Sequence, residues 1–265
     1  YLGRGSNLRQ AVLSHFAAAA RGKPAGRAGR NPDAIRRLAW TETAGELGAL
    51  LLEARDIKAR QPLHNPPARR APESCAWRLQ AQGSGHFVPE LVCGEEADPG
   101  RADALYGLFQ TRREATNTLR KIADAYQLCH VALGLEKPGK RGAGCAAYPR
   151  QHCAGACVGK EAPALHGARL MVALAKLRLA AWPYAGAIAL VERNAFMGRE
   201  DWHVVDAWRH LGSANTEAEA RALAGSAVRG AFDADTYRLL KSELARGKVR
   251  IVALGGKPPL SAPAA

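Results

Sequence analysis

Several features that would classify this chain at once are missing from it. No run of about 18 uncharged apolar residues occurs, so nothing in it reads as a membrane span. Aromatics are only 6% of the 265 residues while apolar residues reach 47%, much of it alanine, so a core is possible but thin per residue. The eight histidines form no HExxH or other ligand spacing, and the six cysteines form no CxxC pair. No internal repeat and no signal peptide is visible. A zincin helix, a module built on two close CxxC pairs and a repeat array are thereby excluded.

What is present in excess is positive charge. The formal net charge is +14, and residues 1–72 hold 13 Lys and Arg against 5 Asp and Glu. More than half of the surplus therefore sits in about a quarter of the chain. A basic N-terminal part suits a polyanion, because neutralised phosphates release their counterions. A genome rich in G and C, which encodes Arg and Ala freely, would give the same composition.

Pattern and punctuation divide the chain. Residues 1–65 read as a compact α/β unit. Asn7 is placed to cap a helix from Leu8, with Leu8, Val12 and Phe16 on one apolar stripe. The Gly/Arg/Pro-rich residues 20–33 read as a mobile loop, and Arg36–Thr41 as a strand. A helix starting near Thr43 or Glu46 should stop at Gln61-Pro62. Residues 66–75 form a linker. Residues 76–185 open on a hairpin around Gly83-Ser84-Gly85, followed by an amphipathic helix over 112–126 through Leu119, Ile122 and Tyr126. A cysteine segment and a helix over 164–177 come next. Residues 186–254 read strand, strand, strand, helix, helix, strand, and 255–265 as a frayed tail.

The first unit carries a set of polar groups that phosphodiester chemistry needs. Glu53 lies mid-helix in LLLEAR beside residues that must face a core, where a carboxylate is costly unless paired or bound to a cation. His64 and Asn65 return after the proline, and Tyr1 and Arg4 precede the first helix. One carboxylate holds Mg²⁺, a tyrosine or a metal-bound water activates the nucleophile, and cations absorb phosphorane charge. A solvated helix glutamate remains the alternative on spacing alone.

YLGRGSNLRQAVLSHF, followed by ETAGELGALLLEARDIKARQPLHN, resembles the GIY-YIG nuclease domain in the form found in excinuclease UvrC and its shorter homologues such as Cho. The likeness runs over residues 1–65 almost end to end. It implies an α+β protein: a small GIY-YIG nuclease domain, a cysteine-rich helical segment and a small α+β C-terminal unit. It implies that Tyr1 is the tyrosine of the second motif, that Arg4 stands where lysine is usual, that Glu53 binds Mg²⁺ or Mn²⁺, and that Asn65 closes the domain. His15, where tyrosine is common, joins them as a candidate catalytic residue. Arg9, Arg36, Arg37 and Lys58 are the nearby cations expected on DNA phosphates. The family's first motif would lie before Tyr1, so the resemblance implies that the sequence opens inside a domain. Ala11 stands where the family carries a catalytic arginine, and a methyl group donates nothing to a phosphate. Asp56 stands where leucine normally packs and reads as a tolerated surface replacement.

Cys129, Cys145, Cys153 and Cys157 fall within 29 residues at spacings C-x15-C-x7-C-x3-C. An unsecreted chain keeps its thiols reduced, so such a cluster reads as metal ligands, with Cys75 and Cys93 as packing residues. Four thiolates hold Zn²⁺ or an iron–sulfur cluster. The Cys145–Gly159 pattern is similar to the segment after the nuclease domain of UvrC, which implies a structural [4Fe–4S] cluster; the loop from Cys129 to Cys145 is longer than in UvrC. His203 and His210 read as surface or half-buried residues of a strand meander.

The expectation is a bacterial, cytoplasmic DNA-repair protein that nicks damaged DNA during nucleotide excision repair, with DNA and UvrB-like proteins as partners. Some chains of this arrangement follow an exonuclease of the DNA polymerase III epsilon type. The competing expectation is a DNA-binding scaffold that keeps the fold and cluster but has lost incision, which Ala11 favours.

Overall fold

Local signals start and stop the helices much as expected. The Asn7 side chain accepts from the Gln10 N–H at 3.0 Å, opening α1 (Leu8–Ala20). Helix α2 (Glu46–Arg60) ends on Gln61 in the left-handed region, immediately before Pro62. The computed structural model describes residues 1–20, 35–65, 74–83, 85–101, 104–139, 144–226 and 229–255, without the side chains of His15 and 17–20. The loop expected over 20–33, apart from Ala20 at the end of α1, and nearly all of the expected linker and tail lie outside the described residues. Two compact units emerge: residues 1–71 with 184–265, and residues 72–183.

In the first unit, β4 (Ile188–Asn194), β5 (Arg199–Asp206), β6 (Arg209–Ala214) and β7 (Arg250–Ala253) form an antiparallel sheet in the order β6-β5-β4-β7. Helices α5 (Glu217–Ser226) and α6 (Ala234–Arg246) complete the expected succession. β5 is interior to the sheet and buried from Asp201 onward, its polar Asp201, His203 and Asp206 included. One face packs Ala189, Val191, Trp202 and Val204 against Ala220. Asp233 caps α6, and Tyr237 meets the Trp208 ring edge-on at 5.0 Å.

Residues 1–65 contribute α1 and α2 to this unit. The strand expected over Arg36–Thr41 is not formed; the segment has no regular secondary structure and is exposed, with no described strand alongside to take its hydrogen bonds. Leu8 and Phe16 are also exposed, because no described residue packs across that stripe. The sequence reading separates 1–65 from 186–254, whereas α2 and the β4–β7 sheet share one unit, joined by hydrogen bonds described below.

The second unit holds a three-stranded antiparallel sheet, β2 (Phe87–Cys93), β1 (Cys75–Ala81) and β3 (Leu105–Phe109), in that order. Strand β3 has no counterpart in the sequence reading; it is short and interrupted by Gly107 at φ 71°. Helices α3 (Arg112–Ala125) and α4 (Pro163–Leu174) follow, and Leu119, Leu128, Leu170 and Leu174 close the core. Tyr126, expected on the apolar face of α3, is exposed as the cap that ends it. Cys75 and Cys93 are not free thiols: they face each other across β1 and β2 with Cα atoms 4.1 Å apart and form a disulfide. Cys75 is also a core residue, as expected. Register brought the pair together, and spacing in the chain does not reveal register.

The α+β class is therefore what the structure shows. Among the described residues no helix is long and apolar enough to cross a membrane.

Candidate active site and metal centre

Glu46 and Glu53 lie two turns apart on α2 and so share a face. Arg4, in the segment before α1, bridges them: its Nε donates to Glu53 Oε2 at 2.9 Å and its Nη1 to Glu46 Oε1 at 3.5 Å. Glu53 keeps a quarter of its side chain exposed. Asn65, though in a loop, is buried and clasps Leu2: its Oδ1 accepts from the Leu2 N–H and its Nδ2 donates to the Leu2 carbonyl, both at 2.8 Å. The residue next to that clasp is Tyr1. The first residues are thus held at two points, Arg4 on Glu53 and Leu2 on Asn65, with Asn65 spent on backbone rather than turned to solvent. One partly exposed carboxylate and water make a donor set that Mg²⁺ accepts.

The other expected site residues fare differently. Arg9, Arg36 and Arg37 are exposed. Lys58 faces inward to its own unit, donating to Asp233 at 2.5 Å and pairing with Asp235 at 3.2 Å. His15 lies on α1, and its side chain is outside the described residues. Ala11 packs so closely on Gly5 that a Cβ there would stand 2.8 Å from the Ala11 methyl. Asp56 is half-buried rather than open to solvent: its carboxylate pairs with Arg55 at 2.9 Å and Arg60 at 3.4 Å.

Sequence reasoning missed what holds α2. The Glu192 carboxylate, on β4, accepts from the Leu47 N–H at 2.9 Å and the Gly48 N–H at 2.7 Å, two of the unpaired donors at the helix start. Asp201 accepts from the Ala44 N–H at 2.7 Å. A Cβ at Gly45 would overlap the Glu192 carboxylate, and one at Gly48 would stand 2.9 Å from the His203 ring. His203 is 1% exposed, against the surface or half-buried position expected. Its Nε2 lies 3.2 Å from Glu192 and its Nδ1 2.8 Å from Ser213, whose hydroxyl also lies 3.1 Å from the half-buried His210. Burial works against ionisation of Glu192, but the hydrogen bonds from His203, Gly48 and Leu47 outweigh it and lower its pKa.

The four clustered cysteines converge in the second unit. Their sulfurs all lie within 4.8 Å of one another, with Cys153 and Cys157 at 3.9 Å, and they are the one such group of possible metal ligands among the described residues. The fold arranges this through short turns. Cys129 follows the end of α3, and the Ala154 N–H donates to the Gln127 carbonyl, tying the Cys153 loop to that helix. Gly155 turns the chain at φ 96° beneath the Tyr148 ring. Backbone N–H groups point at three sulfurs: Ala132 at Cys129, Cys145 at Cys157, and Gly155 at Cys153. Such donors stabilise metal-bound thiolates.

Burial pushes the Cys129 thiol up to about 11 and the Cys153 thiol upward too. At Cys145 burial is outweighed by hydrogen bonds from Cys153 and Cys157, and its pKa falls. Burial opposes ionisation of Cys129 and Cys153, and a cation shared among the four converging sulfurs would offset that cost. His166, fully buried on α4, accepts the Cys129 N–H at 3.0 Å through Nε2. A single ion about 2.3 Å from each sulfur would set edges of about 3.8 Å, close to the Cys153–Cys157 separation. A cluster, in which each thiolate binds its own iron, needs a wider set.

Comparison with known proteins converges on one family. The model described as "UvrC/Cho excinuclease, middle domain" matches residues 75–176, and "Excinuclease Cho C-terminal domain" matches residues 187–258. Excinuclease cho of Escherichia coli (strain K12) and that of Shigella flexneri are each 39% identical to this chain over 260 residues, 96% of this chain and 80% of theirs. The Salmonella typhi excinuclease cho is 38% identical over the same length. No solved structure matches. The chain belongs to the UvrC/Cho excinuclease family.

Proposed function

We propose that this excision-repair nuclease makes a metal-dependent single-strand incision in damaged DNA, at the site formed by Tyr1, Arg4, Glu53 and Asn65. The observation that carries this reading is the Arg4–Glu53 pair beside the Asn65 clasp. Glu53 would hold Mg²⁺ or Mn²⁺, and that ion would supply polarisation of the scissile phosphate and a lowered pKa for a bound water. Arg4, beside Glu53, is the cation that would bind a phosphate oxygen as charge builds on it. The Asn65 clasp fixes the backbone that carries Tyr1, the candidate to orient or deprotonate the nucleophile. Arg9, Arg36 and Arg37 offer charge to the flanking phosphates.

Cys129, Cys145, Cys153 and Cys157 hold a structural metal centre. The likeness to UvrC supports a [4Fe–4S] cluster, and the short sulfur separations support Zn²⁺. Purified protein with iron, sulfide and a thiolate-to-iron absorption that Cys153→Ala abolishes would establish the cluster. One colourless equivalent of zinc would establish the ion.

A second reading, a DNA-binding scaffold without incision, is favoured by Ala11 in place of an arginine. Plasmid nicking with Mg²⁺ decides between them. Glu53→Ala should lower the rate at least a hundredfold with DNA binding retained; equal rates for the two proteins would leave only the scaffold.

A further inference from the structure

The β4–β5 hairpin ends in an arrangement that the incision site does not use. Its strands pair without a break from Ile188↔Val205 to Asn194↔Arg199. Asn194 then accepts the Met197 N–H at 3.1 Å, and Gly198 turns the chain at φ 61°. On this stiff support Phe196 is 100% exposed and Met197 41% exposed. Scattered apolar residues on a surface need no explanation. An aromatic carried to the very end of a well-paired hairpin is different, because its position keeps the chain from covering it.

The same end of the sheet is basic. Alternation along β4 puts Arg193 on the face of Val191, and Arg250, opposite Val191, shares that face. Its guanidinium lies 5.8 Å from the Trp202 ring centroid. Because β7 runs antiparallel to β4, Lys248, which leads into it, lies toward the hairpin tip. Arg193, Lys248 and Arg250 are exposed, and Glu200, 3.9 Å from Arg250 and paired in register with Arg193, offsets one of them. Arg199 is separately paired with Asp201 at 2.8 Å. The face below the tip therefore keeps a positive surplus.

An exposed apolar wedge above cations matches the surface of DNA where base stacking is broken: the wedge covers a base face while the cations hold phosphates. We propose that the Phe196–Met197 tip inserts at the disturbed base step of a damaged duplex, with Arg193, Lys248 and Arg250 on the adjoining backbone. The hairpin would recognise distortion rather than sequence, because every base has an apolar face. The inference rests on the reading of this chain as a nuclease that acts on damaged DNA.

The test measures binding without Mg²⁺, apart from incision. The protein is titrated onto two duplexes, one fully paired and one with a two-nucleotide bulge beside 2-aminopurine. Phe196→Ala should weaken binding to the bulged duplex by about tenfold and leave the paired duplex within twofold. Phe196→Trp should restore affinity and change 2-aminopurine emission through stacking. Arg193→Ala should weaken both duplexes alike and reduce the slope of log K against log salt by about one. Equal affinity of Phe196→Ala and the parent for the bulged duplex would overturn the proposal. So would a loss of self-association in Phe196→Ala on sedimentation, which would make the tip a contact between copies. Intact Phe196-dependent binding without nicking would count against the nuclease reading alone, and nicking without Phe196 dependence against the wedge alone.

Discussion

Removing the Glu192 carboxylate should undock α2, the helix that carries Glu46 and Glu53. Glu192 accepts two backbone N–H groups at 2.9 and 2.7 Å and faces His203 at 3.2 Å. A lost helix cap costs about 1 kcal/mol, and a hydrogen bond to a charged group contributes about 1.5–3 kcal/mol. The site is partly covered, so water recovers some of the loss. Glu192→Ala should therefore destabilise the protein by about 3 kcal/mol, and Glu192→Gln, which keeps one acceptor and no charge, by about half that. Urea unfolding measures the loss, and hydrogen exchange at the Leu47 and Gly48 amides locates it. Gly45→Ala provides an internal control, since its methyl would displace the same carboxylate. Gly45→Ala should cost about 1–2 kcal/mol alone and much less in a Glu192→Ala background, because the group it pushes is already gone. Changes below about 0.5 kcal/mol with unaltered exchange at Leu47 and Gly48, or strict additivity of the two substitutions, would refute the docking argument.

Acid should weaken the same region in two stages. His210, lowered to about 4 by burial and by the nearby His203 and Arg55, stays neutral in the folded state while the unfolded chain protonates near 6.5. Stability should fall as pH drops from about 6.5 to about 4, with a slope of up to about 1.4 kcal/mol per pH unit that His210→Gln removes. Glu192 is shifted down, so its contribution is complete above the ordinary carboxylate range of about 4.3 and is lost as pH falls through its folded value. Unfolding free energies at closely spaced pH values separate the stages; a Glu192→Gln profile identical to the parent below pH 4 would contradict the second. In the other unit, Cys93→Ser opens a link between residues 18 apart and should cost about 3 kcal/mol by chain entropy. A thermal midpoint unmoved by both this substitution and a reductant would show that the link contributes nothing.

Much of the local architecture was legible because its causes are local. Asn7 reaches an amide three residues on, and Pro62 stops a helix from the adjacent position. The hairpin of β1 and β2, the succession β4 to β7 and the α+β class follow from alternation and turn residues of the same short range. The segment Arg36–Thr41 shows the limit. Its residues suit a strand, but a strand exists only with a neighbour to take its hydrogen bonds, and none is described there. Leu8 and Phe16 show the same for a helix stripe that no described residue covers.

The cysteine cluster lay between these cases. Four thiols within 29 residues announced a site, and only the folded turns around Gly155 and the end of α3 brought the sulfurs within 4.8 Å. Likewise the resemblance of residues 1–65 to a known nuclease domain pointed to Tyr1, Arg4, Glu53 and Asn65, because that likeness is carried by one continuous stretch of chain. Tertiary structure alone decided what each side chain spends its polar atoms on. Asn65 clasps Leu2 63 residues away, Lys58 joins Asp233 175 residues away, and Glu192 caps a helix more than 140 residues earlier. A carboxylate or an amide carries no mark in sequence of which donor will lie beside it. That is settled when α2 comes down on β4 and β5, and burial turns the meeting into an obligation to pair.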